Sequence, residues 1–474
     1  MYISTAVSAV DAARFPSVEE LTAWQHALDA RGLRATGSPE HEAYVADLAA
    51  RLVSAGAQDV RLEPVPMRRW TPERWELELL DDGTPATVPL VSYVAYSGST
   101  GPDGVTGTLS AEPGAGVIGL VDIPLVGMAG RDFDGLDWDA PALPAHGDGW
   151  DPELRYERLW LSQDLMREAL ARFEDAGAAG LVLAVDVPET EIPGAYLLYD
   201  GVHRRIPAVF VGRETGRLLR EAQEHRQPAR LILEAVVEDV VTHNVVGVVP
   251  GASDELVVLQ SHTDGPNGLE DNGPEAILAM AAHLAALPRH ELPRGILVLL
   301  STGHFAIEEA WGVEAFLTAH SADLVPRIAA ALSLEHLGAL VVLRARECTE
   351  VPADHEFGCC FATPHRAVID AARSAMDRAS VTESIVLRPF VPDHTGNSPD
   401  GTTWPGDGGP FWHTAGLPTL NFITGPGYTF NVEPVLRYID VAALRRQAMA
   451  FTEAALELAA TPWDLLRAPV SERR

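Results

Sequence analysis

Three short apolar runs in the second half of the chain each end in polar residues. The runs at 256–259, 295–300 and 328–334 have this form, and helix-forming sequence resumes at 275–287 after the first of them. Apolar runs of this length bounded by polar turns are typical of buried strands in a parallel sheet. Open α/β sheets build their sites at the carboxyl ends of such strands, so the pattern predicts an enzyme site there.

Side chains that can bind a metal follow these three predicted strands. The first run leads to His262 and Asp264 and then to Asp271, the second leads to His304, and the third leads to Glu335. If the strands are parallel neighbours, these side chains meet at one edge of the sheet. Imidazole and carboxylate together suit zinc or a similar divalent ion. Each residue alone is more simply a hydrogen-bonded group at a strand end, but the set favours a metal site.

Elsewhere the pattern alternates between helical periodicity and short strands. We predict further helices at 18–31, 40–55, 213–226 and 441–460, and further strands at 59–64 and 75–80.

A change in amino-acid composition divides the chain. From 89 to 235 the sequence consists of short β-rich runs separated by loops rich in Gly, Pro and Asp. We therefore expect the catalytic domain to consist of an N-terminal part, 1–88, and a main part, 236–474, with a β-rich insert at 89–235 between them.

Several segments share their residues with one known family. They are 34–41, 262–264, 271–272, 302–303, 334–338 and 416–418. On these residues the chain resembles metallopeptidase family 28, which holds zinc aminopeptidases, glutamate carboxypeptidases and glutaminyl cyclases. The resemblance implies an α/β fold, the phosphorylase/hydrolase-like zinc-peptidase three-layer fold with a mixed central sheet. It also implies that 89–235 is a protease-associated domain.

The resemblance also implies roles for individual residues. In the family's two-metal site, the first His matches His262, the bridging Asp matches Asp271, and the Asp at the third strand end matches Glu335. These three are expected to bind one metal ion. Asp264, two positions after the first His, is expected to orient the imidazole of His262.

The second metal position departs from the family. Aligned without gaps, the family's general-base Glu falls on His304, and the second ion's Glu and His ligands fall on Phe305 and Phe430. Phenylalanine has no lone pair, so we expect a single divalent ion, with zinc favoured. In an alternative register, a longer loop brings Glu308 and Glu309 into the base and ligand positions.

A later segment offers another acid or base. Residues 406–412 resemble the family's Ser-Asp-His-x-Pro-Phe loop, with Asp407 kept and Gly408 in place of the His. In the cyclase branch of the family, the matching Asp takes part in proton transfer. The catalytic candidates are therefore His304, Asp264 and Asp407, and His304 is either the general base or a ligand.

These candidates suggest a metal-dependent hydrolase that attacks an amide or peptide-like carbonyl in a small molecule or short peptide. Two alternatives stay open at this point. One is a binding protein that keeps the fold without catalysis, and the other is a repurposed metabolic enzyme, such as a cyclase, transferase or lyase. Metal content separates them in part, because a binding protein of this kind needs no tightly bound ion.

Composition limits the partners and the compartment. A formal charge of −32, from 67 acidic and 35 basic residues, argues against a nucleic-acid partner. The sequence has no evident signal peptide or membrane-spanning segment, which predicts a cytoplasmic protein without a membrane partner. The 3 cysteines, Cys348, Cys359 and Cys360, are too few for a disulfide framework. The acidic loop at 126–156 is expected to be solvated or to act as a lid, and an oligomer is possible.

Overall fold

The computed structural model of the protein describes most of the chain. The described residues are 10–81, 84–129, 138, 155–306, 312–345, 348–350, 354–381, 384–389, 391–393, 396–398 and 404–470.

The described helices agree closely with the helical patterns in the sequence. None of them combines the length and the apolar character needed to cross a membrane. The last long helix has the predicted bounds, and the Asp440 side chain caps it by accepting hydrogen bonds from two backbone N–H groups of the first turn. The helices are α1 Val18–Asp29, α2 Pro39–Ser54, α3 Gln163–Asp175, α4 Arg213–Glu224, α5 Gly273–Ala285, α6 Gly312–Ala319, α7 Arg366–Ala379, α8 Gly409–His413, α9 Val441–Ala460 and α10 Trp463–Leu466.

The strands form one large sheet and three small two-stranded sheets. The large sheet has 14 strands and runs in the order β17-β16-β20-β13-β11-β12-β10-β4-β5-β8-β9-β3, with β1 beside β10 and β2 beside β1. The strands are β1 Gln58–Asp81, β2 Thr84–Val88, β3 Ser92–Tyr93, β4 Val105–Ser110, β5 Ile118–Ile123, β6 Val126–Ala129, β7 Arg155–Arg158, β8 Gly180–Val185, β9 Ala208–Val211, β10 Pro228–Val249, β11 Ser253–His262, β12 Arg294–Ser301, β13 Ile328–Leu334, β14 Leu343–Ala345, β15 Cys348–Glu350, β16 Gly358–Ala362, β17 Ser384–Leu387, β18 Val391–Asp393, β19 Gly396–Ser398 and β20 Thr419–Thr424.

The centre of the sheet is covered on both faces. Successive residues of β11 point to opposite sides, as strand geometry requires. Val257 belongs to the large core that includes α5 and α9. Its neighbour Val258 belongs to a smaller core with Phe316 of α6 and Phe411 of α8. Because both faces are buried, these strands are apolar throughout, and the expected three-layer α/β fold with a mixed sheet is confirmed.

Two predicted strands, 59–64 and 75–80, are parts of a single long strand. β1 pairs antiparallel with β10 from Gln58 to Leu79, with irregularities near either end. The segment from 64 to 72 contains three prolines, Pro64, Pro66 and Pro72. In this segment the other edge of β1 has no partner strand among the described residues, since β2 pairs only from Leu77 onward. A proline can occupy such an edge without the loss of a ladder hydrogen bond.

The long strand β10 joins the predicted insert to the rest of the molecule. Its last residues, 245–249, pair with β12, and its first residues, 228–231, pair with β4. From β4 the sheet continues through the parallel strands β5, β8 and β9. The region 89–235 therefore extends the central sheet. Its boundaries and its assignment as a protease-associated domain stay predictions.

Candidate metal site

Three parallel strands bring the predicted site residues to one edge of the sheet. β11 lies between β12 and β13 and is parallel to both, which confirms the expectation that the three apolar runs are neighbours. His262 is the last residue of β11. His304 begins a short 3-10 turn just after β12, and Glu335 directly follows β13.

Five side chains converge at this edge and could hold a metal ion. Two overlapping groups have ligand atoms within 4.8 Å of one another, and both groups include His262. The sequence had not assigned Glu270 or His336 to the site. All five residues are nearly inaccessible to solvent, and the most exposed of them, His304, has 7% of its surface accessible. The first group is His262, Glu335 and His336, and the second is His262, Glu270 and His304.

Two of the imidazoles have a fixed tautomer. Nδ1 of His262 lies 2.9 Å from the backbone carbonyl oxygen of Asp264, and Nδ1 of His336 lies 2.6 Å from that of Thr424. A carbonyl oxygen only accepts, so each Nδ1 carries the proton and donates it. In the neutral ring each Nε2 then keeps its lone pair, which is how imidazoles are prepared as metal ligands.

The third imidazole lies between two carboxylates. Nδ1 of His304 lies 2.9 Å from Asp407 Oδ1, and its Nε2 lies 3.4 Å from Glu270 Oε1. Its ring stacks on that of His262, with centroids 4.0 Å apart. Burial lowers the pKa of His304, but the two carboxylates outweigh this effect and hold it well above the ordinary value. His304 can therefore carry and exchange a proton at this site.

Glu335 and Glu270 each have at least one carboxylate oxygen that forms no hydrogen bond. Glu335 Oε1 accepts hydrogen bonds from the backbone N–H of Asp407 and from Asn421 Nδ2, each 3.0 Å away. Its Oε2 has no hydrogen-bond partner and lies 3.9 Å from His262 Nε2. Both oxygens of Glu270 also form no hydrogen bond, although Oε1 lies 3.4 Å from His304 Nε2 and 3.5 Å from His336 Nε2.

These orphaned atoms are unusual for a buried location. Nε2 of His262 and of His336 also lack hydrogen-bond partners, beside the free oxygens of Glu270 and Glu335. Burying a polar atom without a partner costs about 1–3 kcal/mol. A cation that the nitrogen and oxygen lone pairs share removes this cost, so the donor set fits a divalent ion such as zinc.

Asp271, predicted as a ligand, is placed elsewhere. Its two carboxylate oxygens accept hydrogen bonds from Arg34 Nε at 2.7 Å and Arg34 Nη2 at 2.6 Å. Both side chains are completely buried. Asp271 belongs to neither of the two groups, and its carboxylate forms an ion pair with Arg34.

Asp264 makes contacts through both its backbone and its side chain. Its backbone carbonyl, rather than its carboxylate, orients His262. The carboxylate accepts hydrogen bonds from Thr36 Oγ1 at 2.5 Å and from the backbone N–H of Phe305 at 3.0 Å. It therefore ties the N-terminal segment and the turn after β12 to the site.

Glu270 and His336 could not be recognised from the sequence. Each is adjacent to a residue that the sequence did single out. For Glu335 and His336, which follow a strand, neighbours in an extended chain would point in opposite directions. His336 has φ +54°, in the left-handed region, which ends the alternation and lets it share the site with Glu335. The adjacent acids Glu270 and Asp271 are a visible signal, but which of them faces the site depends on Arg34, far away in the sequence.

Comparisons with known proteins bear on the fold. No protein-family model and no curated protein matches the chain. The zinc aminopeptidase from Bacillus subtilis matches at a TM-score of 0.60 and 17% identity, over 93% of this chain and 95% of that one. The aminopeptidase from Aneurinibacillus sp. strain AM-1 matches at 0.60 and 16%, over 96% and 97%.

A third solved structure gives a higher score. The peptidase M28 precursor from Shewanella amazonensis matches at a TM-score of 0.64 and 18% identity, over 94% of this chain and 96% of that one. The chain has the fold of metallopeptidase family 28. The likeness extends over nearly the whole of each chain, so it includes the region 89–235 as well as the strands that carry the site.

Aromatic side chains lie where the family alignment puts the second metal's ligands. Phe305 and Phe430 pack edge to face with ring centroids 6.2 Å apart. Tyr199, which the sequence had not indicated, stacks on Phe430 at 4.9 Å and on His304 at 5.5 Å. The rings of Phe305 and Phe430 supply apolar surface and no metal ligand, and the number of ions stays a prediction.

Other predictions are only partly covered by the described residues. Glu308 and Glu309, which the alternative register needs, lie outside them. So do the acids of the 126–156 loop. Of that loop's interior, Trp138 is described, and its Nε1 donates to the backbone carbonyl of Ala362 at 2.9 Å. Cys359 and Cys360 are free thiols.

Proposed function

We propose that the protein is a metal-dependent hydrolase that uses one divalent ion, best zinc, to cleave an amide or peptide-like bond in a small substrate. The observation that carries the proposal is the convergence of unpartnered, buried ligand atoms from His262, Glu270, Glu335 and His336 at the carboxyl edge of the sheet. The fold of the zinc aminopeptidases supports it at a coarser level.

We assign the ion to His262, Glu335 and His336. These give two nitrogen ligands and one oxygen ligand, a set that leaves a position open for water or substrate, as in catalytic zinc sites. This replaces Asp271 of the sequence-based ligand set by His336, because Arg34 engages both oxygens of Asp271. His262 has only one free ring nitrogen, and one nitrogen lone pair binds one ion, so the two overlapping groups cannot each hold a separate ion through it.

The chain's own residues supply the acid and base groups. A bound zinc ion lowers the pKa of its water to about 7 and polarises a carbonyl group. A divalent cation bound beside His304 would lower its raised pKa again, so that the neutral ring could accept the proton of the attacking water at Nε2 and later donate it to the leaving nitrogen. Asp407 holds His304 through Nδ1 and stabilises the imidazolium, and Glu270 lies beside Nε2 on the other side of the ring. General acid–base help of this kind contributes roughly 10²–10⁴-fold in rate.

A combined metal and activity measurement tests this proposal. The zinc-loaded protein is assayed on a panel of dipeptides and acylated amines, and bound metal is measured after dialysis. We expect hydrolysis of at least one class of amide by the wild type. His336→Ala should lose both the metal and the activity, because it removes one of three ligands.

A matched variant controls for nonspecific effects. His413 is exposed on α8, outside both ligand groups, so His413→Ala should keep both metal and activity. A wild type that binds no zinc would contradict the proposal and favour the binding-protein alternative. Metal retention by His336→Ala at wild-type affinity would contradict the ligand assignment.

A further inference from the structure

A cavity of about 270 Å³ opens beside the candidate metal site. His304, Glu335, His336 and Asp407 all contribute to its lining, so a molecule in the cavity meets the proposed reacting groups. The rest of the described lining is dominated by aromatic rings. We call this space the aromatic cavity, and its principal walls are Tyr156, Trp160, Tyr199, Phe361, Trp404 and Phe430.

Away from the metal site, the described lining of the aromatic cavity has no cation that could receive a carboxylate. Among the described residues that line it there is no Lys or Arg, and the histidines His304 and His336 stand at the metal site beside the acids Glu335 and Asp407. Arg158 lies close by but is already engaged. Its Nε donates to the carbonyl oxygen of Gly425 at 2.9 Å, and its Nη2 pairs with Glu356 at 2.7 Å. A carboxylate held among the aromatic walls would therefore lose its hydration without gaining a partner there.

One wall of the aromatic cavity is fixed to the metal site. Trp404 Nε1 donates to Asn421 Oδ1 at 2.9 Å, and Asn421 Nδ2 donates to Glu335 Oε1 at 3.0 Å. The ring of Trp404 is nearly parallel to that of Phe361, with an interplanar angle of 12°. This wall is thus held in place before any ligand enters.

A second part of the wall is fixed to the turn after β20. The carbonyl oxygen of Gly425 accepts hydrogen bonds from the Tyr156 hydroxyl and from Trp160 Nε1, in addition to Arg158. Aromatic walls held in this way are preorganised, which lowers the entropic cost of binding a ligand. An apolar cavity of about 150 Å³ is large enough for benzene, so this one has room for a larger ring system.

We propose that the substrate carries an uncharged aromatic group, of one or two rings, which occupies the aromatic cavity while the adjacent amide meets the metal site. The proposal rests on the proposed hydrolase function and adds the substrate class to it. A carboxylate on the group that enters the aromatic cavity is disfavoured, because the described aromatic walls carry no Lys or Arg.

Turnover of a matched substrate series tests the proposal. The series is N-acetyl-X-glycinamide and its free-amine form, with X being Phe, Leu, Gly, Gln or Glu. Burial of a phenyl ring should raise kcat/KM for Phe about 10–100-fold over Gly. Gln and Glu have nearly the same shape, so charge alone should make Glu at least about tenfold worse than Gln. Equal rates for Phe and Gly, or a preference for Glu over Gln, would overturn the proposal.

A binding measurement on zinc-free protein separates this proposal from the hydrolase function. N-acetyl-phenylalaninamide should bind more tightly than N-acetyl-glycinamide even where nothing is hydrolysed. Selective binding without turnover of any substrate would contradict the hydrolase function but support the aromatic cavity as a binding site. Turnover without selectivity in either measurement would support the hydrolase function but contradict the aromatic cavity as a binding site.

A variant pair locates the selectivity in the aromatic cavity. Trp160→Ala should reduce the preference for Phe over Gly about tenfold, whereas Trp160→Phe should keep most of it, because a ring remains in the wall. Trp75, 39% exposed on β1 and outside the cavity, provides the control, and Trp75→Ala should leave the preference unchanged. An unchanged preference in Trp160→Ala would contradict the assignment.

Discussion

Replacement of Arg34 by Met should destabilise the protein far more than loss of an ordinary arginine. Arg34 is completely buried and donates two hydrogen bonds to the carboxylate of Asp271, at 2.6 and 2.7 Å. It also donates to the backbone carbonyl of Asn267 at 2.8 Å, within the loop that leads to Glu270. Methionine fills part of the volume but leaves the Asp271 carboxylate buried without a partner.

The size of the effect follows from the burial of both partners. Removal of one member of a buried ion pair costs about 3–5 kcal/mol, because the remaining charge is uncompensated. An exposed pair contributes only about 0.2–1 kcal/mol. Since whole domains are stable by about 5–15 kcal/mol, Arg34→Met should lose a large share of the free energy of unfolding.

Urea denaturation in the presence of a metal chelator measures this effect without a contribution from bound ions. The matched control is Arg31→Met, in the same segment, because Arg31 pairs with Asp47 at 3.0 Å while both side chains are partly exposed. The double variant Arg34→Met with Asp271→Asn should recover part of the loss, since it removes the unpaired charge.

An Arg34→Met variant that loses no more free energy of unfolding than Arg31→Met would contradict the expected effect. So would a double variant whose loss equals the sum of the two single losses, because then the two side chains do not interact. A double variant that is clearly more stable than this sum supports the pair.

Three further substitutions test the site itself. Glu335→Gln should weaken zinc binding by more than the roughly 10–100-fold that loss of an outer hydrogen-bond partner costs, and an unchanged affinity in a zinc titration would remove Glu335 from the ligand set. His304→Ala should keep the metal while turnover falls roughly 10²–10⁴-fold, whereas loss of the metal would make His304 a ligand. Gly406→Ala should weaken zinc binding, because Gly406 has φ +103° and an added Cβ would lie 2.7 Å from Glu335 Oε1. Gly416→Ala is its control, with φ +64° and no atom within 4 Å of the added Cβ, and equal zinc affinity in the two variants would contradict the close approach.

The sequence indicates the layout of the site because strand ends are local features. The runs that became β11, β12 and β13 are fully buried, and such runs are visible as continuous apolar stretches. Their parallel pairing then brought His262, His304 and Glu335 together. Asp407, identified through a family resemblance, also reached the site and bonds His304.

The identity of the ligands depends on features that are not local. Arg34 and Asp271 are 237 positions apart, and only the folded chain shows that this pair is formed. The αL conformation of His336 is equally hidden, because its positive φ depends on the packing around β20 rather than on the residue type. Tyr199 reaches the site from the region 89–235, whose course over the site no pattern in the sequence specifies.

Anomalous diffraction at the zinc absorption edge, from crystals soaked with excess zinc, tests the central claim most directly. We expect one anomalous peak per chain at the carboxyl edge of the sheet, between His262 Nε2, Glu335 and His336. Asp271 should remain paired with Arg34. Two peaks, no peak, or a single peak bound to Asp271 would contradict the claim.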